Sequence, residues 1–363
     1  MTLVLGIETS CDETAAAVIE DGHAICSNVV ASQVELHQSY GGIFPEMASR
    51  QHMTAILPVI EQAMDDAEIE WQQLDAIAVT NGPGLSGSLL VGVNAAKGLA
   101  FGHKLPLIGV NHIEAHIATN WLDVAAPRRR SRKPKFPLLC LVVSGGHTEL
   151  ILMHNYGKYE RLGSTLDDAA GEAFDKAARM LNLGYPGGPA IQRAAENGDP
   201  AAFSFTRARP DGRYDFSFSG LKTALLRAVQ QYDAHIERPA DRLSEQATGQ
   251  PPSALTPETA ADLAASFQAA VVDMLVDKTC QAATDQQVKG VLLAGGVAAN
   301  KALRERLAAS LDIPLRMPPI SLATDNATGV GVAGSWSLKR GHTSGWDLDV
   351  IPRLELGVTR TTD

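Results

Sequence analysis

The chain has 363 residues, a length that suggests two domains at roughly 150 residues each. Hydrophobic residues are 45% and charged residues 20%, which excludes a wholly disordered or fibrous chain. Lys+Arg 31 against Asp+Glu 41 leaves a net charge of −10, so bulk charge argues against a general nucleic-acid binder.

The predicted elements alternate between strand and helix. A strand over 3–8 breaks at Thr9-Ser10-Cys11-Asp12-Glu13-Thr14 and resumes over 15–19 before Asp21-Gly22. A long helix is expected over 44–65, with Pro58 as a kink. A strand over 76–80 runs through Asn81-Gly82-Pro83-Gly84 into a helix over 86–101. A strand over 105–110 leads into Asn111-His112-Ile113-Glu114-Ala115-His116. The opening shape then returns about 135 residues later: strand 138–143, turn Ser144-Gly145-Gly146-His147-Thr148, strand 149–153. Amphipathic helices follow over 166–181 and 221–232, and another over 257–283 with Thr256 as N-cap and Pro257 at its first position. The strand 290–294 enters Gly295-Gly296 and a helix over 299–310. Two segments read as loops, the basic stretch 125–137 and the polar stretch 237–253. This supersecondary repeat points to two similar α/β domains. No apolar run approaches the ~18 residues of a membrane span. The first Lys or Arg is Arg50, which predicts no secretory or transit segment. Cys11, Cys26, Cys140 and Cys280 are scattered without a CxxC, which suits a reducing cytoplasm.

Three groups of residues can carry chemistry. His112 and His116 stand at i and i+4, the helical spacing at which two imidazoles reach one metal, and Asp325 can add a carboxylate. The competing readings are surface histidines and a helix N-cap. The glycine turns at 144–148 and 295–297, with the Thr9-Ser10 turn and the 81–84 loop, can cradle phosphates, although no Walker A motif is present. The stretch Asp167-Asp168-Ala169-Ala170-Gly171-Glu172-Ala173-Phe174-Asp175-Lys176 puts Asp168, Glu172 and Asp175 on one helical face. Glu172–Lys176 and Asp175–Arg179 can equally be i,i+4 ion pairs. Residues 128–135 hold six basic residues in eight positions, which a solvated loop or a tRNA contact would both explain.

Seven motifs together resemble one family. They are Gly6-Ile7-Glu8-Thr9-Ser10-Cys11-Asp12-Glu13-Thr14, the His112–His116 segment, Val143-Ser144-Gly145-Gly146-His147-Thr148, the acidic stretch 167–176, Tyr185-Pro186-Gly187-Gly188-Pro189, Phe216-Ser217-Phe218-Ser219-Gly220-Leu221-Lys222 and Gly295-Gly296-Val297-Ala298-Ala299-Asn300. Over residues 3 to 340 the chain resembles the tRNA N6-adenosine threonylcarbamoyltransferases, once labelled O-sialoglycoprotein endopeptidases. That family is similar to the actin-like, sugar-kinase and heat-shock chaperone ATPases. The resemblance implies two ribonuclease-H-like domains around a nucleotide cleft: 1–124, completed by 325–345 crossing back, and 136–324, with a basic loop 125–135 and a tail 346–363.

Carried over by residue, the resemblance implies metal ligands His112, His116 and Asp325, holding one divalent metal, iron(II) or else zinc. It implies substrate contacts at Val143, Ser144, Gly145, Gly146, His147, Asp175, Gly188 and Asn300, and acidic residues needed for activity at Asp12 and Glu13. The implied donor is threonylcarbamoyl-AMP and the acceptor is tRNA. The implied partners are a metal-less paralogous subunit on the first domain, a small P-loop ATPase and the enzyme that makes the donor, with no membrane. The segments 125–137 and 237–253 look longer than in typical bacterial members. Three other functions compete: a small-molecule kinase or ATPase of the same fold, a metalloprotease and a non-catalytic scaffold. The protease reading is weakened because Ile113, not Glu, follows His112.

Overall fold

The computed structural model describes residues 1–38, 40–123, 134–207, 210–232 and 255–357. The first half runs β1 (Leu3–Glu8), β2 (Glu13–Glu20), β3 (Ala24–Ser32), α1 (Val34–Gln38), α2 (Pro45–Asp66), β4 (Ala76–Gly82), α3 (Ser86–His103), β5 (Leu107–Asn111) and α4 (His112–Ala118). The second runs β6 (Leu138–Val143), β7 (Thr148–Asn155), β8 (Lys158–Ser164), α5 (Ala170–Met180), α6 (Gly187–Ala195), α7 (Ser219–Tyr232), α8 (Pro257–Asp285), β9 (Val291–Ala294), α9 (Lys301–Ser310) and β10 (Leu315–Arg316), and α10 (Thr328–Lys339) follows.

Each half builds a five-stranded mixed sheet, in the orders β3-β2-β1-β4-β5 and β10-β9-β6-β7-β8. Three antiparallel strands are extended by parallel ones in both, so the two sheets have the same topology. This is an α/β chain with two ribonuclease-H-like, actin-like sheets. The central strands LVLGIE and LLCLVV are buried along their whole length, as strands covered on both faces must be.

One apolar core joins the halves. It contains Val4, Ala78 and Val110 from the first sheet, Cys140, Val142, Ile151 and Leu292 from the second, and Ile113, Ile117, Val330 and Ala333 from α4 and α10. Glycines let α10 approach closely. A Cβ on Gly6 would lie 2.5 Å from Ala327 O and 2.6 Å from Gly331 N, and one on Gly331 would lie 2.5 Å from Ile19 Cγ1. Beyond α10 the chain returns along the first sheet, where Ser344 N donates to Leu107 O (2.7 Å) and Ile351 N to Asn81 O (2.8 Å). Glu355 then pairs with Arg161 of β8 at 2.9 Å.

Several boundaries differ from the sequence expectation. The strand expected over 15–19 begins at Glu13, because its pairing with β3 continues to Glu13↔Ser32. The half-buried edge strands β3 and β8 were missed, since their apolar pattern is broken. The helix expected over 166–181 starts only at Ala170. Before it, Asp167 Oδ1 accepts from Phe218 N (2.8 Å) and Thr165 Oγ1 donates to Asp168 O (2.6 Å), which holds the chain out of helix. The helix expected from 299 starts at Lys301, after a short 3₁₀ turn over Gly296–Ala299. The α2 helix runs as one element through Pro58. The α8 helix is apolar and long enough to cross a membrane, contrary to the reading of short apolar runs, but 72% of that stretch is buried inside the protein. Residues 128–133 of the basic run and all of 237–253 lie outside the described residues.

The close approach of α10 makes a prediction. Gly331→Ala should lower the unfolding free energy in urea by about 1–3 kcal/mol, the usual cost of overpacking. By contrast Gly98 is an exposed α3 glycine whose added Cβ meets nothing within 4 Å. Gly98→Ala should raise it by about 0.5–1 kcal/mol.

Candidate metal centre and active site

Both sheets end their central strands at one place. The register Ile7↔Val79 sets the turn after β1 beside the turn after β4, and Leu85 N donates to Ser10 O at 2.8 Å. The register Val142↔Ala294 does the same for the turns after β6 and β9. Gly295, at φ +88°, brings its backbone against the Val143 carbonyl so closely that a Cβ would not fit. The Ser144–His147 turn closes on itself, with Ser144 N donating to His147 O (2.8 Å) and His147 N to Ser144 Oγ (3.1 Å). Added Cβ atoms on Gly145, Gly146 or Gly188 would meet nothing within 4 Å, so these backbones face open space.

Asn111 starts α4, its Oδ1 accepting from Ile113 N (2.8 Å) and Glu114 N (3.3 Å). The helix then sets His112 and His116 edge to face on one side, ring centroids 4.5 Å apart. Asp325 Oδ1 lies 3.2 Å from His116 Nε2 and 3.8 Å from His112 Nε2. One ligand atom from each of the three falls within 4.8 Å of the others. Asp325 is not a helix cap, because Asn326 Oδ1 meets Thr328 N instead (3.0 Å).

Glu8, at the end of β1, completes the arrangement and was not singled out from the sequence. It is 1% exposed. Its Oε1 accepts from Ser10 N (2.6 Å), and its Oε2 accepts from Thr80 Oγ1 (2.7 Å) and lies 2.9 Å from His112 Nδ1. The carboxylate holds the proton on Nδ1 and turns Nε2 toward Asp325, as in carboxylate–histidine–metal triads. A carboxylate ending an otherwise apolar, fully buried strand was the available signal.

These residues fit a divalent metal. His116 Nε2 is buried 3.2 Å from Asp325 Oδ1, yet makes no well-directed hydrogen bond among the described residues. Two imidazoles and one carboxylate form a donor set for iron(II) or zinc that leaves coordination positions open. The electrostatics agree. Burial would raise Asp325, but His112, His116 and His147 hold its carboxyl far below the usual range. Burial would lower His112, but Glu8 and Asp325 push it up to about 9. Burial and the two neighbouring histidines pull His147 down to about 4, so it is neutral.

The remaining predicted residues divide. Asp12 is buried at the first turn, and Glu13 Oε1 accepts from Ser32 Oγ (3.0 Å). Burial, with Asp12 and Asp325 adding, pushes Glu13 up to about 9. Asp175 Oδ1 accepts from Gly187 N at 2.7 Å, beside Gly188. Asn300 caps α9 through Leu303 N (2.9 Å) and donates to Gln268 Oε1 (2.8 Å), so both ends of its amide are engaged. Asp168 lies ahead of α5 rather than on its face, paired with Lys176 (2.6 Å) and Lys222 (3.3 Å). The Glu172–Lys176 pair forms at 2.9 Å, whereas Arg179 turns to Gly41 O. The Glu114 carboxylate accepts from Tyr159 Oη (2.9 Å), so it is not placed as a base beside the two histidines.

Two measurements check this centre. Glu8→Gln should weaken metal retention roughly 10–100-fold, read as metal per chain after dialysis against a chelator. In metal-free protein, folded His112 keeps its proton up to about 9, whereas its ordinary value is 6.5. Its contribution to stability is therefore complete below pH 6.5 and lost as pH rises to about 9. The urea midpoint of chelator-treated protein should fall across that window, and a rising midpoint would contradict the pair.

A family model described as TsaD, tRNA N6-adenosine threonylcarbamoyltransferase, matches residues 24–332. A protein of that name from Thermomicrobium roseum is 57% identical over 365 residues, covering 99% of this chain and 98% of its own. Another from Symbiobacterium thermophilum is 53% identical, covering 98% and 97%. Among solved structures, HypF of T. kodakarensis aligns with a TM-score of 0.59 at 16% identity, over 93% of this chain and 48% of that one, a likeness of fold alone. On its two actin-like sheets it gathers His112, His116 and Asp325 into a group that could hold a metal ion, and the chain belongs to the tRNA N6-adenosine threonylcarbamoyltransferase family.

Proposed function

We propose that this chain transfers the threonylcarbamoyl group from threonylcarbamoyl-AMP to N6 of the adenosine next to the anticodon, in tRNAs reading codons that begin with A. The observation that carries the reading is the position of His112. Its Nδ1 lies 3.1 Å from Ser10 Oγ in the first turn, and its ring centroid is 6.5 Å from that of His147 in the second. Metal ligands and both turns therefore surround one point.

Each part has a chemical task. His112, His116 and Asp325 would hold the divalent cation, which supplies Lewis-acid polarisation of the donor's oxygens. Gly145, Gly146 and Gly188 have open space where a side chain would stand, so the phosphate and nucleoside can approach their backbone N–H groups closely. An exocyclic adenine amine is a weak nucleophile, so the protein must align it and remove its proton. The N6–carbon bond forms as the carbon–oxygen bond to the phosphate breaks, and AMP leaves with that oxygen. The N6 proton passes to Asp12. Glu13, pushed up to about 9, carries its own proton at neutral pH and serves as a donor beside it. Asp175 and Asn300 shape the wall of the donor site, the latter through the α9 cap.

The partners follow the family. We place the paralogous subunit on α2, where Phe44, Met53 and Leu57 are 45%, 70% and 54% exposed, large apolar side chains in water. The P-loop ATPase and the donor-making enzyme complete the system, in the cytoplasm with its tRNA.

The test is mass spectrometry of digested tRNA nucleosides after incubation with threonylcarbamoyl-AMP, tRNA and the partner proteins. Wild type should yield modified adenosine. His112→Ala should yield none above background, and Asp12→Asn should bind donor and tRNA yet turn over at least about 100-fold more slowly. An Asp12→Asn variant with wild-type turnover would overturn the base assignment, and absence of product with every partner set would overturn the transferase reading.

A further inference from the structure

The turn between β1 and β2, which bears Asp12 and leads into Glu13, presents three successive carbonyls, and a different element holds each. Ser10 O accepts from Leu85 N at the head of α3 (2.8 Å), and Asp12 O from Gln33 N beyond β3 (3.1 Å). Cys11 O is held by a side chain, the His52 imidazole on α2, at 2.9 Å. A carbonyl only accepts, so His52 Nε2 carries the ring proton. Its Nδ1 is then the acceptor for Thr14 Oγ1 at 2.8 Å. One imidazole thus bridges the residues on either side of Asp12 and Glu13.

His52 is completely buried. Burial lowers its basicity, and the Cys11 carbonyl and the nearby carboxylates only partly offset this. Its neighbours along the inner face of α2 are Ile56, Val59, Ile60 and Ala63, all buried apolar side chains. Packing of α2 on the sheet therefore has no need of an imidazole at this position. The turn does need one, because a buried carbonyl without a donor is costly.

We infer that His52 is a positioning residue for the transfer reaction, fixing the Cys11–Thr14 turn and so the aim of the Asp12 carboxylate at the acceptor amine. The inference rests on the assignment of Asp12 as the proton acceptor. A general base works only within hydrogen-bond reach of its proton, and a misplacement of about 1 Å costs on the order of 100-fold in rate. Donor and tRNA are held by other residues, so the loss should appear in kcat and spare KM.

The experiment compares metal-loaded, full-length His52→Leu, His52→Gln and Thr14→Val in the tRNA modification assay with partner proteins. It measures kcat, KM for each substrate and the melting temperature. Leu keeps the bulk and removes every hydrogen bond of the ring, the long one from Gln33 Nε2 (3.5 Å) included, whereas Gln keeps an N–H near the Nε2 position. We expect kcat to fall about 30–100-fold in His52→Leu with KM within about threefold, and Gln to recover about tenfold of it. Thr14→Val should lose about 3–10-fold in kcat alone. Wild-type kcat in a folded His52→Leu, or parallel losses in kcat and melting temperature without rescue by Gln, overturns the inference. If His52→Leu does not fold, Thr14→Val decides, since wild-type kcat there overturns it and a loss confined to kcat supports it. Asp12→Asn measured alongside separates the two readings. If it turns over normally, the base assignment falls and takes the inference with it. If it is inactive while the His52 variants keep wild-type kcat, the inference alone falls.

Discussion

The buried contact between Glu8 and His112 fixes the geometry on which the rest of the site depends. An ionised carboxylate in an apolar interior is expensive unless every lone pair finds a donor. Glu8 finds three, from the turn at Ser10, from β4 at Thr80 and from α4 at His112. Those partners come from three elements far apart in the chain. Satisfying one carboxylate therefore locks the first turn, the sheet and the histidine-bearing helix α4 into a single arrangement, with His112 Nε2 directed at Asp325.

The second constraint is steric. Asp325 reaches α4 only because α10 lies against β1 and β2 at backbone contact, a distance that Gly6 and Gly331 allow and any Cβ would prevent. The core around α4 and α10 is shared by both sheets, so the centre sits at the junction of the halves rather than inside either. The turns from the second sheet arrive there because β6 and β9 repeat the pairing of β1 and β4. The duplicated topology thus puts the turns after both sheets' central strands around the His112, His116 and Asp325 group.

That placement divides the groups at the junction between the halves. The first half supplies the histidines and the carboxylates of Asp12 and Glu13. The second supplies Gly145, Gly146 and Gly188, with open space on their Cβ side. Asp325, on the return crossing, is the residue that both halves must be in register to use. Glu114 marks the contrast: it lies between the two histidines in sequence, yet faces Tyr159 on the other side of the helix.

The sequence by itself determined the class of the fold, the repeat, the central strands and the histidine pair. These rest on local physics: apolar runs long enough for a buried strand, i,i+4 spacing, and glycine where a turn must be tight. It also carried the resemblance that named Asp325 as a ligand, since residues 117 to 324 separate it from His116 and no local pattern joins them. What only the tertiary structure decided were the contacts whose partners are distant. Glu8 reads locally as the end of a strand, His52 as one position on a long helix, and Asn300 as a residue inside the helix expected over 299–310 until its cap on α9 is seen. The edge strands β3 and β8, the late start of α5 and the burial of α8 belong to the same group. In each, the deciding hydrogen bond or packing surface comes from a segment that local sequence cannot see.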